Sequence, residues 1–454
     1  MARTGNTPGE KQHKRAIRAW TMYDWANSVF ATSIMAAILP VYYASVAVQS
    51  EQANTATIYW SITTSIALLI VAFLGPILGA MADFLGAKKR MMSIFVFLGV
   101  TGTALLYLVG TGDWFIASLF FIVGSVGFAG ANVFYDSLLP HVAREDEIDQ
   151  VSSRGYAMGY LGGGILLAVN LGMIMALPAL LPGLIPSLAS WSEGDLTMLM
   201  TRICFLTVAV WWLLFTIPIW RHVPEPERRI RTSEKGFSPL KASFGRLGHT
   251  FGEIKKYKQL LTFIIAFWLY NNGIGTIIFM ASIYGTELGF SSTTTIGTLL
   301  MVQFVAIPFA FLFGWLSKKM GTKPAILLSL GVYTLIAIAG YFLYQEWQFW
   351  ALGFAVATVQ GGSQALSRSL MGRMMPKSKS AEFYSFFSVS EKIAGTVGPL
   401  LFGGVSFLVG GSRLAIVSLI VFFATGGYLL TRVNEKEGIR VAEAEDRELV
   451  KSAV

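Results

Sequence analysis

The chain has 454 residues, 54% hydrophobic, 13% aromatic and only 13% charged, with a formal net charge of +9. Soluble domains carry about 25% charged residues, so a water-soluble enzyme, a disordered protein and a nucleic-acid binder all fit this arithmetic badly. The one cysteine, Cys204, excludes an internal disulfide and a cysteine-based metal centre, and histidines at 13, 141, 222 and 249 leave no metal-ligand spacing.

A helix needs roughly 20 mainly apolar residues to cross the hydrocarbon core. Such runs predict spans near 20–46, 55–82, 91–110, 114–138, 154–177 and 201–221. After a polar interval they resume near 260–284, 294–316, 324–344, 347–371, 382–408 and 412–431. Long strict alternation of apolar and polar residues is absent, which argues against a β-barrel. The expectation is an all-α integral membrane protein of twelve transmembrane helices. The basic first 19 residues lack the apolar core and cleavage site of a signal peptide.

Charge placement predicts orientation. Arg15 and Arg18 precede span 1, Lys88, Lys89 and Arg90 follow span 2, Lys318, Lys319 and Lys323 flank the span 8–9 turn, and the central interval and tail are rich in Lys and Arg. The opposite loops offer Glu51, Asp113, Glu193, Asp195, Glu287 and Glu346, with only Arg202 and Arg413 as nearby cations. The positive-inside rule then places both termini in the cytoplasm. In a bacterium this is a multi-pass protein of the cell inner membrane. Topology and anionic lipid headgroups account for the excess positive charge, and no nucleic acid is needed.

The chain repeats itself. GAMADFLGAKKR (79–90) follows span 2 and GWLSKKMGTKPA (314–325) follows span 8; Gly79 and Gly86 map onto Gly314 and Gly321 at one offset, 235. Leu139-Pro140 and Met375-Pro376 close spans 4 and 10 at an offset of 236, and Gly159 and Gly395 follow nineteen residues after each proline. Two six-helix pseudo-symmetric bundles are expected: a leader 1–19, bundles 20–221 and 260–431, a cytoplasmic linker 222–259 and a tail 432–454. In the linker, Leu240, Phe244, Leu247, Phe251 and Ile254 recur at spacings of 4, 3, 4 and 3. That is an amphipathic helix lying in the headgroup layer, packed on the bundle's loops, or both.

The 79–90 segment resembles the span 2–3 motif of the major facilitator superfamily at Gly79, Asp83, Gly86 and Lys88, departing from it at Ala87. Within that superfamily, YDWANSVF (23–30), SLLPHVAREDEIDQVSSRGYAMGYLGGG (137–164), IKKYKQLLTFIIAFWLYNNGIGT (254–276) and QGGSQALSRSLMGRMMP (360–376) resemble the vacuole effluxer-like branch, which includes fungal autophagy-related amino-acid exporters. The resemblance implies the major facilitator fold, alternating access, and a cavity lined by spans 1, 4, 7 and 10. It also implies a cytoplasmic latch at Asp83, to which span 11 presents its N-terminus, with Lys88, Arg90 and Asp136 as electrostatic neighbours. Topology charge at the membrane surface is the other reading of those four.

Charged residues inside spans cost about 2.5–3.5 kcal/mol each at mid-helix and normally face the bundle interior. Asp24 in span 1 and Glu391 and Lys392 in span 11 are the most inward. Glu391 and Asp24 suit a proton carrier and Lys392 a substrate carboxylate; a static ion pair that fixes packing is the alternative. Uncharged polar stripes add Asn27, Asn132, Tyr135, Tyr270, Asn271, Asn272, Gln360 and Gln364, which either line a substrate cavity or bond neighbouring helices. No cofactor or metal is expected. The leading reading is secondary transport of a small polar solute, an amino acid by resemblance, exported with proton coupling as one mode, by a chain that holds a whole pathway as a monomer. Proton-driven uptake of a sugar, peptide or other nutrient, a lipid flippase and a non-transporting membrane protein are the rivals. An enzyme is not expected, because HExxH and GxSxG constellations are absent, and the lack of a Walker A pattern argues against ATP-driven transport.

Overall fold

The computed structural model describes residues 8–48, 55–227, 238–252, 254–409 and 412–453. All regular elements among them are helical. Span 1 starts at Pro8 and runs on through π-helical turns at Phe30–Ala37 and Tyr43–Ala47, with Pro40, which has no N–H to donate, in the stretch between them. Spans 2 to 6 are Thr55–Leu85, Lys88–Leu105, Trp114–Val142, Ile148–Leu184 and Glu193–His222. The linker helix is Pro239–Gly252. Spans 7 to 11 are Lys258–Glu287, Ser292–Met320, Thr322–Tyr341, Glu346–Met374 and Ser380–Val409. Span 12 comprises Ser412–Ser418 and Ile420–Arg432, and a tail helix, Glu435–Ala453, follows. Span 1 begins earlier than expected because its polar first turns continue the same helix. The tail helix was not foreseen.

The pattern of burial is that of a membrane protein. The most apolar windows are among the least enclosed: in Ile62–Leu85, mean hydropathy 2.3, 29% of the residues are buried, against 56% in Lys255–Ile278 at 1.4. Leu69, Phe73, Met175 and Phe407 stand on the outer surface, where water would disfavour them and acyl chains would not. Among the described residues ten helices are long and apolar enough to cross a bilayer. Glu346–Met374 and Ser380–Val409 complete the twelve. The first of these two is less apolar because Ser363, Ser367, Arg368 and Ser369 lie on its buried face.

Two compact units are present. One contains the residues up to Phe73, Lys89–Asn132 and Met158–Val223; the other contains Leu74–Lys88, Val133–Ala157 and everything from Pro224. In the first, Phe30 packs on Phe128 and Trp212 at centroid distances of 5.1 and 5.6 Å. Span 5 approaches span 1 closely there, since a Cβ at Gly162 would stand 2.5 Å from the Trp25 carbonyl oxygen. In the second, Phe267 stacks on Phe387 at 4.1 Å and Tyr333 on Phe423 at 5.4 Å.

The linker helix turns its small and polar residues inward and part of its apolar stripe outward. Ala242, Ser243, Arg246 and Thr250 are buried, while Leu240 and Phe244 are 56% and 55% exposed. Leu247 is buried with the polar face. The side chains of Phe251 and Ile254 lie outside the described residues.

Candidate functional site

The site is built at the positively charged helix ends in the second unit. Span 2 ends at Leu85, Gly86 turns the chain with φ +59°, and span 3 begins at Lys88. Gly321 does the same between spans 8 and 9 with φ +90°. Only glycine adopts such angles freely, so the turns at the two repeat-matched positions share a physical cause. The first turn folds Lys88 back, and its Nζ lies 2.9 Å from Asp83 Oδ1, with both side chains almost fully enclosed.

A buried ion pair is tolerable only when its remaining atoms are also satisfied. Lys88 Nζ lies 3.1 Å from His141 Nε2 and donates to Ser380 Oγ. Asp83 Oδ2 accepts the backbone N–H of Glu382 at 2.9 Å. That N–H belongs to the first turn of span 11, where helical donors lack partners and the helix dipole favours an anion. Gly79 permits the approach: a Cβ there would lie 2.5 Å from the Ala381 carbonyl oxygen. Arg90, by contrast, is exposed.

A second set of contacts centres on Arg368, which is buried in span 10. Its Nε donates to Ser152 Oγ and its Nη2 to the Ser152 carbonyl, each at 2.9 Å, and Nη1 pairs with Asp136 Oδ1 at 3.2 Å. The guanidinium lies 4.3 Å from the ring centre of Tyr156 and 5.6 Å from that of Tyr135. One turn away, Asp149 in the first turn of span 5 accepts from Ser369 Oγ at 2.5 Å and Thr322 Oγ1 at 2.6 Å, and pairs with Arg373 at 3.2 Å. Gln150 donates to the Gly314 carbonyl at 2.9 Å, and a Cβ on Gly314 would stand 2.9 Å from Ser153. Gly79 against span 11 and Gly314 against span 5 are thus corresponding contacts of the two repeats. They differ in which side supplies the acid: Asp83 beside the turn in one, Asp149 on the helix start in the other.

The polar stripes divide between the units. In the first, Asn27 donates to the Asn132 side chain, and Asp24 is buried in the same span as Asn27. In the second, Tyr270 and Ser367 hydroxyls meet at 2.5 Å, and Asn272 donates to the Trp268 carbonyl while its own buried Oδ1 accepts no hydrogen bond among the described residues. Tyr156 donates to Gln364 at 3.5 Å, the Gln360 carbonyl accepts from Ser363 at 3.0 Å, and Asn271 and Tyr135 are buried. Glu391 and Lys392 fall within span 11, but their side chains lie outside the described residues. Among the described residues no cluster of His, Cys, Asp and Glu is suited to hold a metal ion.

Residues 48–443 match the model of the family described as vacuole effluxer Atg22 like. The chain belongs to that family. It is 35% identical, over 96% of its own length and 99% of the relative's, to the uncharacterized MFS-type transporter YxiO of Bacillus subtilis (strain 168). To autophagy-related protein 22 of Coccidioides immitis (strain RS) it is 22% identical, over 96% and 90% of the two chains. Among solved structures it is similar to the proton:xylose symporter XylE, with TM-score 0.66, 15% identity and coverage of 95% and 98% of the two chains. It is also similar to the transporter FucP, with TM-score 0.64, 12% identity and coverage of 93% and 98%. The protein is therefore a multi-pass membrane protein of the major facilitator superfamily with the twelve-helix fold, and its relatives are transporters.

Sequence reasoning passed over Asp149, Glu382, Lys379 and Ser152. The first three carry charge within a turn of a helix start, where the positive-inside rule already accounts for Lys379 and where Asp149 and Glu382 read as ordinary acids in the first turn of a helix, with no periodicity to single one out. Ser152 lies in the 137–164 segment that carries the family resemblance, but nothing in that segment sets it apart from its neighbours.

Proposed function

We propose that the protein is a secondary active transporter that exports a small polar organic solute, an amino acid, by alternating access coupled to protons. The observation that carries this reading is the pair of corresponding junctions, Asp83–Lys88 on span 11 and Asp149 with Arg368 on spans 9 and 10. Ionic and hydrogen-bonded contacts of this kind can exchange for water as the helix ends part, which a continuous apolar interface cannot do. The description of the family, vacuole effluxer, favours efflux.

In this reading Asp24, Asn27, Asn132, Tyr135, Tyr270, Asn271, Asn272, Gln360 and Gln364 contact the solute, and Lys392 takes its carboxylate. Glu391 and Asp24 carry protons. Asp83, Lys88, Arg90 and Asp136 form the cytoplasmic gate, both termini are cytoplasmic, and one chain suffices as a monomer. The outward-turned Leu240 and Phe244 seat the linker helix among anionic headgroups.

The test is counterflow in proteoliposomes with a panel of labelled amino acids, with and without a protonophore. Exchange of at least one amino acid, and gradient-driven accumulation that collapses with the protonophore, are expected. No exchange across the panel would overturn the substrate class, and accumulation indifferent to the protonophore would overturn proton coupling.

A further inference from the structure

One buried ionisable group in the second unit stands apart from the gate's ion pairs. Glu382, in the first turn of span 11, is 0% exposed, and neither of its carboxyl oxygens has a hydrogen-bond partner among the described residues. Asp83, Lys379, Arg246 and Thr250 face it. Asp83 is held by Lys88 at 2.9 Å and already accepts the N–H of Glu382 itself. Lys379 is 2.8 Å from Glu445 and 2.9 Å from the Tyr257 hydroxyl. The Arg246 guanidinium lies 5.4 Å from the centre of the Phe84 ring. Two residues before Glu382, Ser380 meets Lys88 and His141. Thr250 Oγ1 on the linker helix is buried and is turned towards the Glu382 carboxyl.

An ionised carboxylate in this enclosure would be fully desolvated and sit beside the Asp83 carboxylate, with the Thr250 hydroxyl and the more weakly felt Lys379 and Arg246 charges opposing that cost. Low-dielectric burial and a like charge both disfavour that form. The neutral acid brings its own O–H, for which Thr250 Oγ1 is an acceptor. We propose that Glu382 is a proton-binding site tied to the junction of spans 2 and 11. The carboxyl holds its proton while the junction encloses it, and when span 2 withdraws the O–H bond breaks, the proton passes to water and a hydrated carboxylate remains. The inference deepens the proton coupling proposed above by naming a carrier at the gate. The group is distinct from Asp24 and Glu391, and its binding and release of a proton is an event of the gate itself.

The experiment uses the full chain in lipid nanodiscs, in a Cys204→Ser background, with spin labels at Ala87→Cys and Lys377→Cys. Distances across the junction are recorded as a function of pH beside infrared difference spectra. The wild-type side chain should show the carbonyl stretch of a protonated carboxylic acid at acidic pH, fading at the same midpoint at which the labels separate. Glu382→Gln should remove that band and hold the labels at the short distance at every pH. Persistence of the band, or of the pH-driven separation, in Glu382→Gln would overturn the proposal. Glu382→Asp keeps a carboxyl at the site and should retain the response with a displaced midpoint; an unmoved midpoint would also overturn it. Neither readout needs a solute. A silent amino-acid panel thus leaves this site standing, and a lost pH response leaves the substrate reading standing.

Discussion

Gly79→Ala tests the junction through sterics alone. The added Cβ would stand 2.5 Å from the Ala381 carbonyl oxygen, 2.9 Å from its carbon and 3.1 Å from the Glu382 Cα. All three are backbone atoms of a helix's first turn, so no rotamer change relieves the clash. A carbon–oxygen contact settles near roughly 3.3–3.6 Å, and span 2 must therefore recede by about 1 Å. The Asp83–Glu382 hydrogen bond, now 2.9 Å, would pass beyond hydrogen-bonding range. Overpacking costs about 1–3 kcal/mol, and losing a hydrogen bond to a charged group about 1.5–3 kcal/mol. Taking about 3 kcal/mol together, the joined arrangement should lose roughly a hundredfold in population, at 1.36 kcal/mol per tenfold. The Ala87→Cys/Lys377→Cys label pair in nanodiscs should then show a longer distance as the main population. Gly248→Ala, where nothing lies within 4 Å of the new Cβ, is the control and should change nothing. A well-folded Gly79→Ala protein with the wild-type distance distribution would refute the argument that this glycine sets the approach.

Other outcomes follow from the same contacts. Burial pushes the Glu445 carboxyl up, but hydrogen bonds from Lys256 and Lys379 prevail and hold it at about 2, below the ordinary 4.5. A depressed carboxyl stabilises the docked tail helix fully above pH 4.5, and that contribution is lost as pH falls towards 2. At neutral pH Glu445→Gln should forfeit about 2–3 kcal/mol after screening at the partly exposed Lys256, read as at least roughly tenfold faster amide exchange across Glu435–Ala453. Arg368→Ala removes the guanidinium from the Ser152 carbonyl and hydroxyl and from Asp136 and should cost about 3 kcal/mol of thermal stability. Arg368→Lys, which cannot reproduce the fork, should recover only part of it. Asn27→Ala strands the Asn132 amide and should slow counterflow at least tenfold while expression and melting stay near wild type; unchanged counterflow would remove this pair from the solute path.

The fold was legible because its causes are local. Twenty-residue apolar runs and the matched glycines at 79, 86, 314 and 321 are written in the sequence, and the turn angles at Gly86 and Gly321 give two of them a shared purpose. The neighbours of each side chain were not legible. Periodicity puts Asn27 on a helix face but cannot say that Asn132 lies opposite. In Lys88-Lys89-Arg90 the resemblance marks Lys88 and Arg90 as neighbours of Asp83, but only the turn geometry shows that Lys88 folds inward onto Asp83 while Lys89 donates to the Trp220 carbonyl and Arg90 is exposed. For the linker helix the apolar stripe was visible at Leu240 and Phe244, yet the sequence does not say which face meets protein.

The way that linker helix is turned has a practical consequence. The rod that offers Leu240 and Phe244 to its surroundings is the rod whose other side brings Arg246 and Thr250 against Glu382. Both sides belong to the one helix, Pro239–Gly252. Detergent extraction, which replaces a flat leaflet by a curved micelle, should therefore act on the cover of a buried acid as well as on the outward-turned residues. Titrations in micelles and in bilayers should disagree for this reason.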